Sequence, residues 1–228
     1  MTSPLSIIKN QNGTKPYPRT VSFDWMTADE WMALFNQHNN IAKKGQTQLL
    51  FLGDSLTENW DKAIWEHYFS PYQSSNFGIG GDHTGNLLWR LKNLDNQHLS
   101  PKLVVLQIGV NNFGHLNETP SQVFNGVKEV IKQCQSIMPH SHILLNGVFP
   151  FEQSHKSKRR VDVKNLNDML KTLAENKKIT YRYYGHLLLE SNGDISTEIM
   201  ADFLHPTALA YKIWAEAMSK DIQLLLLR

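Results

Sequence analysis

With 228 residues, 41% of them hydrophobic and 19% charged, the chain is long enough to bury roughly 70% of its unfolded surface and apolar enough to offset its ordering entropy, which excludes a stapled mini-protein and wholesale disorder. Lys and Arg number 23 against 21 Asp and Glu, a net charge of +2, too near balance for an extended nucleic-acid footprint. The single cysteine, Cys134, can build neither an internal disulfide nor a cysteine-rich zinc site.

Residues 1–26, with Gly13, Pro16 and Pro18, read as an extended N-terminal arm, and residues 27–228 as a single domain. The opening run lacks a basic segment followed by an apolar stretch, so no secretory signal is visible. Leu224–Leu227 is far short of the roughly 20 residues that span a bilayer. The expected location is cytoplasmic, or exported with a leader absent from this sequence.

Beyond residue 27, helix-like and strand-like segments alternate, the pattern of βα units around a parallel sheet. Apolar residues at three and four spacing predict a helix over 28–43. Gln48–Gly53, a short apolar run ending in glycine, reads as a strand buried on both faces, followed by a helix over 61–69. Ser75–Gly78 is the next strand and 84–92 the next helix. Leu103–Gly109 repeats the buried-strand pattern, and Thr119-Pro120 supplies an N-cap and first-turn proline for a helix over 120–136. A strand over His142–Phe149, a helix over 161–177, a strand over Ile179–Tyr184 and a helix over 208–225 behind His205-Pro206 complete an α/β fold of about five strands. Trp25, Trp31, Trp60, Trp65, Trp89 and Trp214 mostly fall at helical spacing and read as core or rim packing.

In an open parallel sheet, ligands bind beyond the carboxyl ends of the strands, which narrows the search to four loops. Gly53-Asp54-Ser55-Leu56 offers Ser55 either as an exposed hydroxyl or as a helix N-cap. The glycine-rich stretch 76–85 lacks the lysine of a phosphate-binding loop, and His83 stands where a dinucleotide fingerprint has its third glycine. Its glycines either bring backbone N–H groups close to an anionic oxygen or make a turn with positive φ. Asn111, just past a buried strand, either points its amide across the sheet edge or bonds its own backbone in a turn. Asp202 and His205 are close enough for the carboxylate to accept the Nδ1–H bond and leave Nε2 free as a base, and Pro206 disfavours helical geometry at His205. A capping aspartate beside a surface histidine is the competing reading. Together the loops hold a hydroxyl, candidate oxyanion donors, a base and an orienter, the set acyl transfer needs.

In that order, Gly53-Asp54-Ser55-Leu56, Gly78-Ile79-Gly80-Gly81, Gly109-Val110-Asn111-Asn112 and Asp202-Phe203-Leu204-His205 resemble the four conserved blocks of the SGNH hydrolases, also called GDSL esterases. The surrounding residues look most like the group built on platelet-activating-factor acetylhydrolase catalytic subunits. The resemblance implies a flavodoxin-like three-layer α/β/α sandwich. It also implies Ser55 as nucleophile, His205 as base, Asp202 as orienter, and an oxyanion hole from the N–H groups of Ser55 and Gly81 and the side-chain amide of Asn111. Val110 stands where many relatives have threonine or serine, which leaves the asparagine in place.

Leu56, Phe203 and Leu204 flank these groups and are candidates for an acyl pocket, although packing accounts for them equally. His140 and His142 have no carboxylate or cysteine close in sequence to complete a metal site, and the basic run 156–160 reads as a solvated loop. The expectation is a serine carboxylester hydrolase for a short acyl group, best matched by O-acetyl, on a small lipid or acetylated-sugar ester. It needs no cofactor, metal or nucleic acid, and it is compatible with a homodimer. A non-catalytic lipid- or carbohydrate-binding module, an acyltransferase, a thioesterase and a lysophospholipase are the alternatives on the same fold.

Overall fold

Continuous apolar runs demand burial on both faces, and the sheet supplies it. The computed structural model describes residues 11–227, so the expected arm falls partly outside them, over 1–10. Strands β1 (Leu49–Gly53), β2 (Ser74–Gly78), β3 (Leu103–Gln107), β4 (His142–Asn146) and β5 (Ile179–Arg182) form one parallel sheet in the order β2-β1-β3-β4-β5. β1 and β3 lie inside it and are buried at every position, whereas the edge strands β2 and β5 are buried only in part. The register aligns Gly53 with both Gly78 and Gln107, bringing the carboxyl ends of three strands level.

The covering helices are α1 (Ala28–Lys44), α2 (Ser55–Glu58), α3 (Lys62–Tyr68), α4 (Thr84–Asn93), α5 (Val110–Gly114), α6 (Pro120–Ile137), α7 (Lys158–Lys171) and α8 (Ala208–Leu226). Right-handed crossovers place helices on opposite faces according to the direction in which the chain moves along the sheet. α4, α6 and α7 therefore pack side by side on one face, and α3 packs with α8 on the other. Trp31 and Phe35 of α1 sit on Trp89 of α4. The three-layer expectation holds, and the strand order is the flavodoxin-like doubly wound one, with its topological switch between β1 and β3. None of the described helices is long and apolar enough to cross a membrane.

Local chemistry moves several expected boundaries. β3 stops at Gln107 and β4 at Asn146, short of the runs to 109 and 149. Gly109 has φ 128° and opens α5, so the expected loop after β3 is one short helix. α7 begins at Lys158 rather than 161, because the Ser157 side chain accepts the Arg160 N–H as its N-cap. Three of the five residues of the basic run, Lys158, Arg159 and Arg160, are thereby drawn into the helix, where Lys158 pairs with Asp162 at 2.7 Å. It ends at Lys171, and the chain then tightens into a 3-10 turn over Thr172–Glu175. Thr207, not His205-Pro206, caps α8.

Residues 11–26 are tied onto the loops at the carboxyl end of the sheet. Thr84 Oγ1 donates to the Gly13 carbonyl at 2.9 Å, the Tyr17 N–H to the Gly85 carbonyl at 3.2 Å, and Arg19 Nη2 to the Gly80 carbonyl at 2.5 Å. Of the six tryptophans, Trp31, Trp60 and Trp214 are buried, but Trp25 is 55% exposed.

Candidate active site

The β1 strand ends in glycine and runs straight into α2. A Cβ at Gly78 would collide with the backbone of Thr57 and Glu58, so glycine there lets α2 lie directly on the end of β2. Asp54, not Ser55, is the N-cap: its Oδ1 accepts the Leu56 N–H at 3.0 Å. Ser55 is the first helical residue, and its hydroxyl instead lies 3.0 Å from His205 Nε2, a residue 150 positions later in sequence. His205 Nδ1 is 2.7 Å from Asp202 Oδ2. Asp202 Oδ1 accepts the backbone N–H groups of Leu204 and His205 at 3.0 and 2.8 Å. With Nδ1–H donating to the carboxylate, Nε2 is left as the acceptor facing the Ser55 hydroxyl.

That turn is tight enough to put Phe203 at φ 59°, a left-handed position unusual for a bulky residue. Asp202 and His205 are 56% and 39% exposed. Burial raises the Asp202 carboxyl, but the bonds from the His205 ring and the two backbone N–H groups outweigh it and hold the group below the usual carboxylate range. It stays ionised and keeps one imidazole tautomer.

Across the switch point, Ile79–Asp82 forms a β-turn in which the Asp82 N–H bonds the Ile79 carbonyl at 3.2 Å. Gly81 occupies it at φ 71°; a Cβ there would strike the Trp25 ring. Among the described residues no protein acceptor takes the Gly81 or Ser55 N–H. Asn111, in the first turn of α5, is 6% exposed and donates one amide N–H to the Asp82 carbonyl at 3.0 Å rather than bonding its own backbone, which leaves the other N–H free.

Behind this loop lies a buried polar cluster. Arg90 of α4 donates to Asp82 Oδ2 at 2.8 Å, to the Phe77 carbonyl at 2.8 Å and to the Gly53 carbonyl at 3.1 Å. One guanidinium therefore joins the ends of β1 and β2 to the glycine turn. Trp31 Nε1 donates to Asp82 Oδ1 at 2.6 Å, and Arg19 stands 3.9 Å from the same oxygen.

Asp54 is fully buried, and its Oδ2 has no protein partner. Burial pushes its carboxyl from 3.8 up to about 7, against the pull of the Leu56 N–H. The folded state then holds this proton more tightly than the unfolded chain, so stability falls as pH rises from about 4 to 7. In urea denaturation at several pH values, Asp54→Asn should flatten that slope relative to the native chain.

Ser55, Gly80, Gly81, Asn111, Leu204 and His205 all face one cavity of about 520 Å³. Of the three expected acyl-pocket residues only Leu204 lines it. Leu56 is 2% exposed, within the core, and Phe203 packs against that core. Five lining residues lie outside the sequence-derived set: Trp25, Met26, Glu58, Asn59 and His115. Glu58 was open to detection, three positions after Ser55 on one helix. His115, four after Asn111, has its Nδ1 3.1 Å from His83 Nε2; burial lowers its imidazole, and Arg19 reinforces the effect. Trp25 and Met26 gave no signal, because the arm is placed by contacts with distant loops. Phe23 stacks between Trp25 and His115 at 4.9 and 5.7 Å and seats the indole at the rim.

The GDSL-like lipase/acylhydrolase family profile matches residues 51–213. The human platelet-activating factor acetylhydrolase IB subunit alpha1 is 33% identical over 183 residues, covering 79% of this chain and 78% of its own. Among solved structures, a GDSL-like lipase from Bacteroides thetaiotaomicron superposes with a TM-score of 0.69 at 19% identity, over 83% of this chain and 97% of that one. A carbohydrate acetylesterase from Sinorhizobium meliloti superposes with a TM-score of 0.62 at 18% identity, over 78% and 99%. The family match over residues 51–213, together with a curated relative 33% identical over most of both chains, makes this protein a carboxylic ester hydrolase belonging to the GDSL-like lipase/acylhydrolase family.

Proposed function

We propose that the protein removes a short acyl group, O-acetyl by preference, from a small ester through a covalent acyl-enzyme on Ser55. The observation that carries this is the 3.0 Å approach of Ser55 Oγ to His205 Nε2. His205 takes the hydroxyl proton as Ser55 attacks the carbonyl carbon, then delivers it from Nε2 to the departing alcohol oxygen. A water molecule, deprotonated by the same nitrogen, attacks the acyl carbon; the bond to Ser55 Oγ breaks, Nε2 returns the proton to that oxygen, and the acid is released. Asp202 holds the ring and stabilises the imidazolium. The free N–H groups of Ser55 and Gly81 and the second amide N–H of Asn111 receive the charge that develops on the carbonyl oxygen.

The short acyl group is supported by the acetyl chemistry in the names of the human and S. meliloti proteins; the cavity, about 520 Å³, has room for acyl and alcohol parts together. A series of nitrophenyl esters from acetyl to octanoyl, run with fluorophosphonate labelling, tests it. Highest kcat/KM at acetyl and label on Ser55 are expected. Best turnover at octanoyl would transfer the reading to a thioesterase or lysophospholipase, and absence of label on folded protein would remove Ser55 as nucleophile. Asn111→Ala should lower kcat about 100-fold or more with KM little changed; an unaltered kcat would take Asn111 out of the oxyanion hole.

A further inference from the structure

We propose that Glu58 makes the cavity selective for neutral and cationic esters and against esters that carry a negative charge, a substrate class that rests on the hydrolase reading of Ser55. Glu58 follows Ser55 by three positions on α2, so both side chains leave the same side of that helix. Its Oε2 accepts the Gly80 N–H at 2.6 Å. An ideal Cβ on Gly80 would lie 3.0 Å from that oxygen and 3.7 Å from Ser55 Cβ, which fixes the carboxylate beside the nucleophile.

Among the described residues no Lys or Arg lines the cavity to offset this charge. The nearby guanidinium groups, Arg19 and Arg90, are 4% and 3% exposed and are held by Asp82 behind the glycine turn. Neither lines the cavity; burial and the Asp82 carboxylate push the Glu58 carboxyl above its usual range, and the Gly80 N–H, Arg90 and Arg19 pull it back towards the ionised form. The other titratable lining groups are His205, which approaches Ser55, and His115, whose burial favours its neutral form. A substrate carboxylate or phosphate in this chamber therefore meets a fixed like charge among the described lining residues, with the nearest counter-charges, Arg19 and Arg90, buried behind it and shared with Asp82, and specificity follows from that repulsion.

Three phenyl acetates of similar size provide the test: 4-acetoxybenzoate, its neutral methyl ester, and cationic 3-acetoxy-N,N,N-trimethylanilinium, each rate divided by its hydroxide-catalysed rate. The native protein should disfavour the anion by about tenfold or more in kcat/KM relative to the other two. Glu58→Gln retains an acceptor for the Gly80 N–H while removing the charge, and should bring the anion within about twofold of the neutral ester. Raising salt from about 0.02 to about 0.5 M should shrink the penalty in the native protein without any substitution. Equal turnover of anion and neutral ester by the native protein, or a penalty unchanged in both Glu58→Gln and high salt, overturns the proposal while leaving the hydrolase reading intact. Failure to turn over any of the three removes the hydrolase reading, and this selectivity with it.

Discussion

Ser55→Ala is expected to lower kcat by about four orders of magnitude or more, with the melting temperature nearly unchanged because one hydroxyl at the cavity wall is lost and no core contact. His205→Ala should cost about as much. Ser55 Oγ and His205 Nε2 lie 3.0 Å apart, and in the proposed mechanism they work as one unit: without the imidazole the hydroxyl would keep its proton, and without the hydroxyl the imidazole would have no nucleophile to activate. The double variant should consequently be no slower than either single one. Steady-state rates on nitrophenyl acetate, corrected for the buffer reaction, decide the matter. A Ser55→Ala protein within tenfold of the native rate would mean that the acyl group never resides on this residue.

The second large effect falls on stability. Arg90→Leu leaves the fully buried Asp82 carboxylate without its 2.8 Å partner and removes the donors that serve the Phe77 and Gly53 carbonyls. Breaking a buried pair from one side costs about 3–5 kcal/mol, because the remaining charge stays desolvated. Urea denaturation should show that loss as a lowered midpoint. Adding Asp82→Asn should recover part of it: the amide oxygen can still accept from Trp31 Nε1 and the stranded carboxylate is gone, with only part regained because buried Arg19 then loses its own carboxylate partner. Activity should fall further than stability alone explains, since the same guanidinium ties the end of β1 to the turn that carries Gly81. If Arg90→Leu melts like the native chain, the cluster contributes little to holding these loops.

Much of the architecture was legible because it is local. The runs Leu49–Gly53 and Leu103–Gln107 are apolar at nearly every position, and only a strand buried on both faces uses such a run. Thr119-Pro120 marked the start of α6 to the residue, since a cap and a first-turn proline act within one turn. Helix starts that depend on less conspicuous caps were harder. Ser157 draws α7 three residues earlier than apolar spacing suggested, and Asp54 takes the capping role that Ser55 was equally suited to fill. The acyl-pocket expectation failed at Leu56 for a similar reason: adjacency to Ser55 in sequence turns its side chain to the opposite side of a helical turn, into the core.

The amino-acid sequence by itself determined which chemical groups are available and on which loops they stand, because hydrophobic periodicity, glycine turns and caps are set by residues a few positions apart. It carried the Asp202 and His205 dyad whole, as both members share one turn. Only the tertiary structure decided that His205 meets Ser55, that Glu58 and the arm residue Trp25 face the same cavity, and that Arg90 clamps two strand ends to the glycine turn. Those proximities depend on the β2-β1-β3-β4-β5 order and its register, which arise from how sheet and helices bury their apolar faces together and leave no mark on any short stretch of the chain.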